Sequence, residues 1–181
     1  MDDLALSVRT ARPDDAAALA RIYIDSWQDT YAGVISHALL SAMSHKSHTV
    51  RWQAAIKGPG TVLVAEDARL GAIGLCSLGV ARDGGAGFDG EIYTLYVDPA
   101  FQGRGTGRAL LTGAFESFKD RNLRSCLIWA HARNNACFFY EAMGGRRVAT
   151  RTTRLMGELT PEIGFGWKRL VTRKQARTTQ S

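Results

Sequence analysis

Cysteine and proline are scarce in this chain, with three and four respectively in 181 residues. Cys76, Cys126 and Cys137 are odd in number, lack C-x-x-C spacing and sit among apolar residues. That excludes a disulfide scaffold and leaves reduced packing cysteines as the reading. No apolar run approaches the roughly 20 residues of a membrane-spanning helix. The N-terminus, MDDLALSVRTARPDD, has neither the basic nor the apolar region of a signal peptide. A cytoplasmic protein without a membrane partner is expected. No internal repeat or second-domain linker is visible, and 45% apolar content suffices for one core. His37, His45 and His48 cluster without nearby carboxylate or cysteine ligands, so no metal is expected, and they read as solvated helix residues.

Acidic residues are missing from the C-terminal end. The net charge of +6 owes five positive charges to Lys168, Arg169, Arg173, Lys174 and Arg177, with no acid after Glu162. The rest of the chain is nearly balanced, which argues against an organised nucleic-acid surface. Residues 171–181 are polar and aperiodic and are expected to be a disordered basic tail behind a domain spanning 1–170.

What is present is concentrated between Glu91 and Lys119, EIYTLYVDPAFQGRGTGRALLTGAFESFK. Ile92, Tyr93, Thr94, Tyr96 and Val97 favour a strand, which Asp98-Pro99 ends. Gly103, Gly105 and Gly107 then permit a turn with φ > 0 that aims successive N–H groups at one point. Leu110, Leu111, Ala114, Phe115 and Phe118 recur at helical spacing. The first N–H groups of that helix, its dipole and the side chains of Arg104 and Arg108 suit a phosphate group. The spacing is neither the P-loop G-x-x-x-x-G-K-[ST] nor the dinucleotide G-x-G-x-x-G.

Around this stretch, Leu4 to Thr10 reads as a first strand, and Pro13-Asp14-Asp15 opens a helix carrying Ala16, Leu19, Ala20, Tyr23 and Trp27. A helical region from about Ser36 to Lys57, with a break near Ser44 to Ser47, stops at Gly58-Pro59-Gly60. Thr61 to Ala65 and Ala72 to Val80 read as a hairpin, and Arg82 to Gly90 as a glycine-rich loop. Ser125 to Ala130 is a buried strand, Asn134 to Met143 a helix, and Val148 to Leu155 and Ile163 to Leu170 the last strands.

Gln102, Gly105 and Gly107, as Q-x-x-G-x-G after Val-Asp-Pro, resemble the acyl-CoA pyrophosphate loop of the GNAT N-acetyltransferase superfamily. Asn134-Asn135-Ala136-Cys137-Phe138-Phe139-Tyr140-Glu141-Ala142-Met143-Gly144 is similar to that family's N-x-A-x-x-F-Y-E-x-x-G helix. The sequence departs from the pattern at Asn135, where proline is frequent, and at Gly145, where an aromatic residue is usual. The resemblance implies an α/β fold: a single-domain GNAT-like mixed, mostly antiparallel sheet of about six or seven strands with helices on both faces.

It also implies a function, acetyl transfer from acetyl-CoA as co-substrate to a primary amine by direct attack in a ternary complex. The alternative is a catalytically silent acyl-CoA-binding or regulatory module. Cofactor binding falls to Gln102, Gly103, Arg104, Gly105, Thr106, Gly107 and Arg108 for the pyrophosphate. Leu95, Tyr96, Val97 and Asn134 are implied for the pantetheine arm, with a strand N–H serving the oxyanion. Glu91 resembles the glutamate that takes the amine's proton, and Tyr140 the tyrosine that protonates the thiolate. A carboxylate near 4.3 against an alkylamine near 10.4 requires either partial burial or a water relay. His131 is the reserve base, and Cys137 lacks an evident base partner for an acyl-enzyme route. Trp27, Asp29 and Tyr31 fall in the segment resembling the acceptor wall, where aromatics beside a carboxylate suit a cationic amine, whether small molecule or peptide. A homodimer stays open.

Overall fold

The structure is a computed structural model and describes residues 6–82 and 85–170. The expected tail and the first residues of the expected first strand lie outside these. Seven strands form one sheet in the order β1-β2-β3-β4-β5-β7-β6. They are β1 (Leu6–Thr10), β2 (Thr61–Asp67), β3 (Gly71–Val80), β4 (Gly90–Val97), β5 (Cys126–His131), β6 (Arg146–Leu155) and β7 (Glu158–Trp167). The helices are α1 (Ala16–Thr30), α2 (His37–Ser41), α3 (His45–Lys57), α4 (Thr106–Asp120) and α5 (Ala136–Ala142). The sheet is mixed and mostly antiparallel, as expected, with β4 and β5 parallel. Among the described residues no helix is long and apolar enough to cross a membrane.

Two compact units divide the described residues: those up to Ser77 with Thr94–Leu111, and Leu78–Tyr93 with those from Thr112 onward. In the first, β1 pairs antiparallel with β2 from Leu6↔Asp67 to Thr10↔Leu63. Pro13–Asp15 forms a single 3-10 turn before α1, because Asp15 reaches back to accept from the Arg12 N–H at 2.6 Å. The second helical region is two helices, α2 and α3, with the break close to the expected Ser44, since Ser36 and Ser44 each cap a new start by accepting from Leu39 and Ser47 N–H groups. Leu19, Ala20 and Ile22 of α1 pack with Trp52, Val62, Val64 and Leu75 into a core.

In the second unit, β5 is buried almost throughout and pairs with β4 from Gly90↔Cys126 and with β7 from Cys126↔Trp167. Asp89 fixes the entrance to β4 by accepting from the N–H groups of Arg124 and Ser125, at 2.9 and 3.2 Å, and from Ser125 Oγ at 3.1 Å. β6 and β7 form a hairpin closed by Met156 and Gly157, both at positive φ, the geometry of a two-residue turn with native twist. β6 begins two residues earlier than expected and β7 five. At the edge of the sheet, β6 carries polar residues, including Arg146 and Arg147, that give no apolar signal.

Candidate active site

The central strand delivers the chain to the glycine turn under tight control. Asp98, at the end of β4, accepts from the Ala100 N–H at 3.1 Å and from Arg21 Nη1 at 2.6 Å, while its own N–H donates to Ile73 O at 2.9 Å. The Val97 carbonyl accepts twice, from Ser26 Oγ at 3.2 Å and Gln102 Nε2 at 3.3 Å. Gln102 therefore folds back on the strand.

Gly103 and Gly105 adopt φ of +73° and +85° with open space where a Cβ would stand, so the requirement for glycine there is conformational. The first helical bond of α4 runs from Ala109 N–H to Gly105 O at 3.0 Å, which places the N–H groups of Thr106, Gly107 and Arg108 ahead of the helical ladder. Arg104 and Arg108 are exposed beside them, Arg104 lying 5.7 Å from the Phe101 ring centre. Thr106 is 1% exposed and its Oγ1 has no hydrogen-bond partner. Gly74 admits this helix end, since a Cβ there would meet Leu110 and Thr106 side-chain carbons at 3.0 and 3.2 Å.

The residues expected at the acceptor wall separate. Trp27 and Tyr31 are buried with ring centres 4.9 Å apart, whereas Asp29 is exposed. Tyr23, read from sequence as part of the apolar face alone, is the hub of an aromatic cluster. Its ring centre lies 5.3 Å from Trp27, 5.2 Å from His48, 5.9 Å from Trp52 and 5.4 Å from Tyr96. The i, i+4 spacing of Tyr23 and Trp27 on α1, continued to Tyr31 just past its end, was the available signal. His48 is half-buried on Tyr23 rather than solvated, which corrects its reading. Burial pushes the Tyr23 hydroxyl well above its ordinary pKa, and the buried Trp27 Nε1 has no partner.

In the second unit, Glu91 is the second residue of β4, with its side chain 2% exposed. Both oxygens are engaged by Arg82: Oε1 accepts from Nη2 at 2.5 Å, and Oε2 accepts from the backbone N–H at 3.0 Å and from Nε at 3.2 Å. Sequence reasoning missed Arg82, because nothing in a glycine-rich loop marks one arginine as a partner nine residues from its carboxylate.

Tyr140, on α5, is 4% exposed and packs against Phe139, Phe165 and Trp167 at ring separations of 5.3, 5.6 and 6.3 Å. Asn134 lies two residues ahead of the same helix, its Oδ1 accepting from the Ala136 N–H at 2.8 Å. The helix closes on Gly144 at φ +81°, with Gly145 N–H donating to Tyr140 O at 2.8 Å.

His131, at the end of β5, accepts at Nδ1 from the Arg133 N–H at 3.1 Å. Burial, and then the charge of Arg133, lower its pKa and favour neutral imidazole. With Nδ1 accepting, the ring proton sits on Nε2, so the reserve base presents a donor rather than a lone pair. Cys137 donates weakly to His131 O at 3.5 Å, and burial raises its thiol pKa, which disfavours the thiolate an acyl-enzyme would need. No group of three or more His, Cys, Asp or Glu able to hold a metal occurs among the described residues.

Residues 16–145 match the Acetyltransferase (GNAT) family. The chain is 32% identical over 163 residues to the uncharacterized N-acetyltransferase YuaI of Bacillus subtilis, covering 90% of this chain and 92% of that one. A mycothiol acetyltransferase of Propionibacterium freudenreichii is 26% identical over 157 residues, covering 81% of this chain and 50% of that one. Among solved structures, a GCN5-related N-acetyltransferase from Rhodopseudomonas palustris superposes with a TM-score of 0.73 at 23% identity, covering 92% of this chain and 97% of its own. The structure of yncA from Salmonella typhimurium with acetyl-CoA gives 0.70 at 22% identity, covering 93% and 95%. These two likenesses establish the fold.

Proposed function

The chain belongs to the acetyltransferase (GNAT) family as an N-acetyltransferase, and from that premise we propose that it moves the acetyl group of acetyl-CoA to a primary amine by direct attack in a ternary complex. The observation that carries the reading furthest is the entrance of α4. Two left-handed glycines lead into a helix start whose first residue, Thr106, holds a buried hydroxyl without a partner. Such a turn, with Arg104 and Arg108 beside it, suits a diphosphate. The acetyl-CoA seen with a fold neighbour supports the same choice of donor.

In this reading Gln102 to Arg108 hold the pyrophosphate, and the strand segment Leu95, Tyr96 and Val97 with the Asn134 amide holds the pantetheine arm. A strand N–H receives the carbonyl oxygen as negative charge develops on it. Glu91 takes a proton from the acceptor's ammonium, directly or through water, leaving a nitrogen lone pair to attack the thioester carbon. As the C–S bond breaks, Tyr140 gives its proton to the departing sulfur: a phenol, with an ordinary pKa near 10, still holds its proton at neutral pH, and handing it to a thiolate near 8.5 is uphill by only about 1.5 pKa units. The new amide nitrogen sheds its second proton, so one proton is released per acetyl group transferred. Trp27, Tyr31 and Asp29 remain the proposed acceptor wall.

The test is thiol release from acetyl-CoA across a panel of amines, with mass spectrometry of the acceptor, for wild type and Glu91→Gln. An acceptor gaining one acetyl group, with turnover largely lost and coenzyme A affinity kept in Glu91→Gln, is the expected result. Wild-type kcat in that variant removes Glu91 as base, and absence of any acetylated amine removes the proposal.

A further inference from the structure

We propose that Glu91 and the face of Tyr93 form the seat of the acceptor's ammonium, and that Arg82 fills this seat in the unliganded enzyme as an internal stand-in which the amine displaces. The inference deepens the role given above to Glu91 and rests on it. The geometry is that of a cation site already occupied. The Arg82 guanidinium pairs with both Glu91 oxygens and lies 4.3 Å from the Tyr93 ring centre. A carboxylate together with an aromatic face is a general arrangement for binding organic cations.

The seat is rigid. Tyr93 donates its hydroxyl to Val80 O at 2.7 Å, and Gly79 leaves it room, since a Cβ there would stand 2.5 Å from the Tyr93 oxygen. Glu91 is fixed by the β4 register against Leu127. The occupant is accessible, because the Arg82 side chain is 57% exposed while Glu91 beneath it is 2% exposed. A proton carrier therefore meets Arg82 before it meets the carboxylate.

Exchange is favoured over simple opening by charge balance. Withdrawing Arg82 alone would strand a buried carboxylate without a counter-ion. An incoming ammonium replaces one positive charge with another, so the carboxylate stays compensated throughout. The two cations differ in acidity. A guanidinium does not give up its proton in proteins, so the resting pair is inert. An alkylammonium in the same seat can transfer one proton, an N–H bond breaking and an O–H bond forming on Glu91, which leaves a neutral amine beside a neutral acid. The seat thus selects alkylamines, which are cations near neutral pH, over arylamines, which are not.

The experiment uses the full chain with methylguanidinium and n-propylammonium as probes and neutral N-propylacetamide as control. Arg82→Ala is expected to lose thermal stability and to regain several degrees of Tm on adding either cation at millimolar concentration. The amide should have no effect, and Glu91→Gln/Arg82→Ala should not respond. A Tm of Arg82→Ala that moves with these cations no more than that of wild type overturns the proposal. Should Arg82→Ala not fold, the Arg82 Nε–H resonance of wild type, identified by its loss in Arg82→Lys, provides the reading. Displacement of that resonance toward those of solvated arginines by n-propylammonium supports the exchange, and an unmoved signal at saturating amine overturns it. A rescued Arg82→Ala alongside an active Glu91→Gln keeps the seat but removes Glu91 as base. An inactive Glu91→Gln with no cation rescue keeps the base and removes the seat.

Discussion

Arg21 and Asp98 are joined by a 2.6 Å ion pair that ties the middle of α1 to the end of β4, 77 residues along the chain. Asp98 spends its other oxygen on the Ala100 N–H, so the pair fixes the last rigid point before Gln102 and the glycine turn. Asp98→Asn keeps the bond to Ala100 and loses the ionic attraction. Loosening of the turn by ~1 kcal/mol would appear as a roughly fivefold higher KM for acetyl-CoA with kcat little changed. Steady-state kinetics at saturating amine checks this, and a fall in kcat with KM unmoved would place the pair outside cofactor positioning.

Tyr140→Phe separates proton donation from packing. The ring neighbours Phe139, Phe165 and Trp167 are all retained by phenylalanine, so the fold should survive with Tm within a few degrees. Loss of an acid that protonates the leaving thiolate should lower kcat by about 10²–10⁴-fold, with a much smaller change in the KM for acetyl-CoA. An effect confined to KM would make Tyr140 a binding residue only.

β4, the turn and α4 were legible in the sequence because each obeys a local rule: β-branched and aromatic strand formers, glycines at positive φ, and apolar residues at helical spacing. Gly145 was legible only as a departure from the family pattern. A Cβ there would meet Trp167 Cζ2 at 2.7 Å and Tyr140 O at 2.8 Å. The indole that occupies this space comes from β7 and donates to Met143 O at 3.0 Å, a contact that depends on strand pairing far along the chain. Arg82 escaped for a related reason. Its partner is specified by how the chain leaves β3 and enters β4, and no periodicity records that.

Acid should weaken the β1–α1 junction. Arg9 donates to both oxygens of Asp15 at 2.7 and 2.9 Å and to Glu66 at 2.7 Å. The hydrogen bonds from Arg9 hold the Asp15 carboxyl below its ordinary pKa. A group depressed in the folded state contributes stability that is present above its unfolded pKa, near 3.9, and is lost as pH falls through the lower folded value. The pair is partly exposed, so solvent screening limits the contribution to about 1 kcal/mol or less. Urea unfolding of wild type and Asp15→Asn should show a stability difference at pH 6 that shrinks toward pH 2. A difference that stays constant across that range would rule out this linkage.

Thr106 offers a test in which stability and affinity move in opposite directions. Its hydroxyl is buried without a partner at the mouth of α4, and an unsatisfied buried polar group is a burden on the free protein of about 1–3 kcal/mol. Valine has nearly the same shape without the hydroxyl, so Thr106→Val should raise the Tm of the ligand-free protein or leave it unchanged. If the hydroxyl exists to donate to a phosphate oxygen, the same change removes a charge-assisted bond worth about 1.5–3 kcal/mol and weakens coenzyme A binding roughly 10- to 100-fold. Calorimetric titration with coenzyme A beside a thermal scan of the free protein reads both quantities. A packing role alone predicts a change in Tm with affinity untouched, so unaltered coenzyme A binding in Thr106→Val would remove the hydroxyl from the phosphate site.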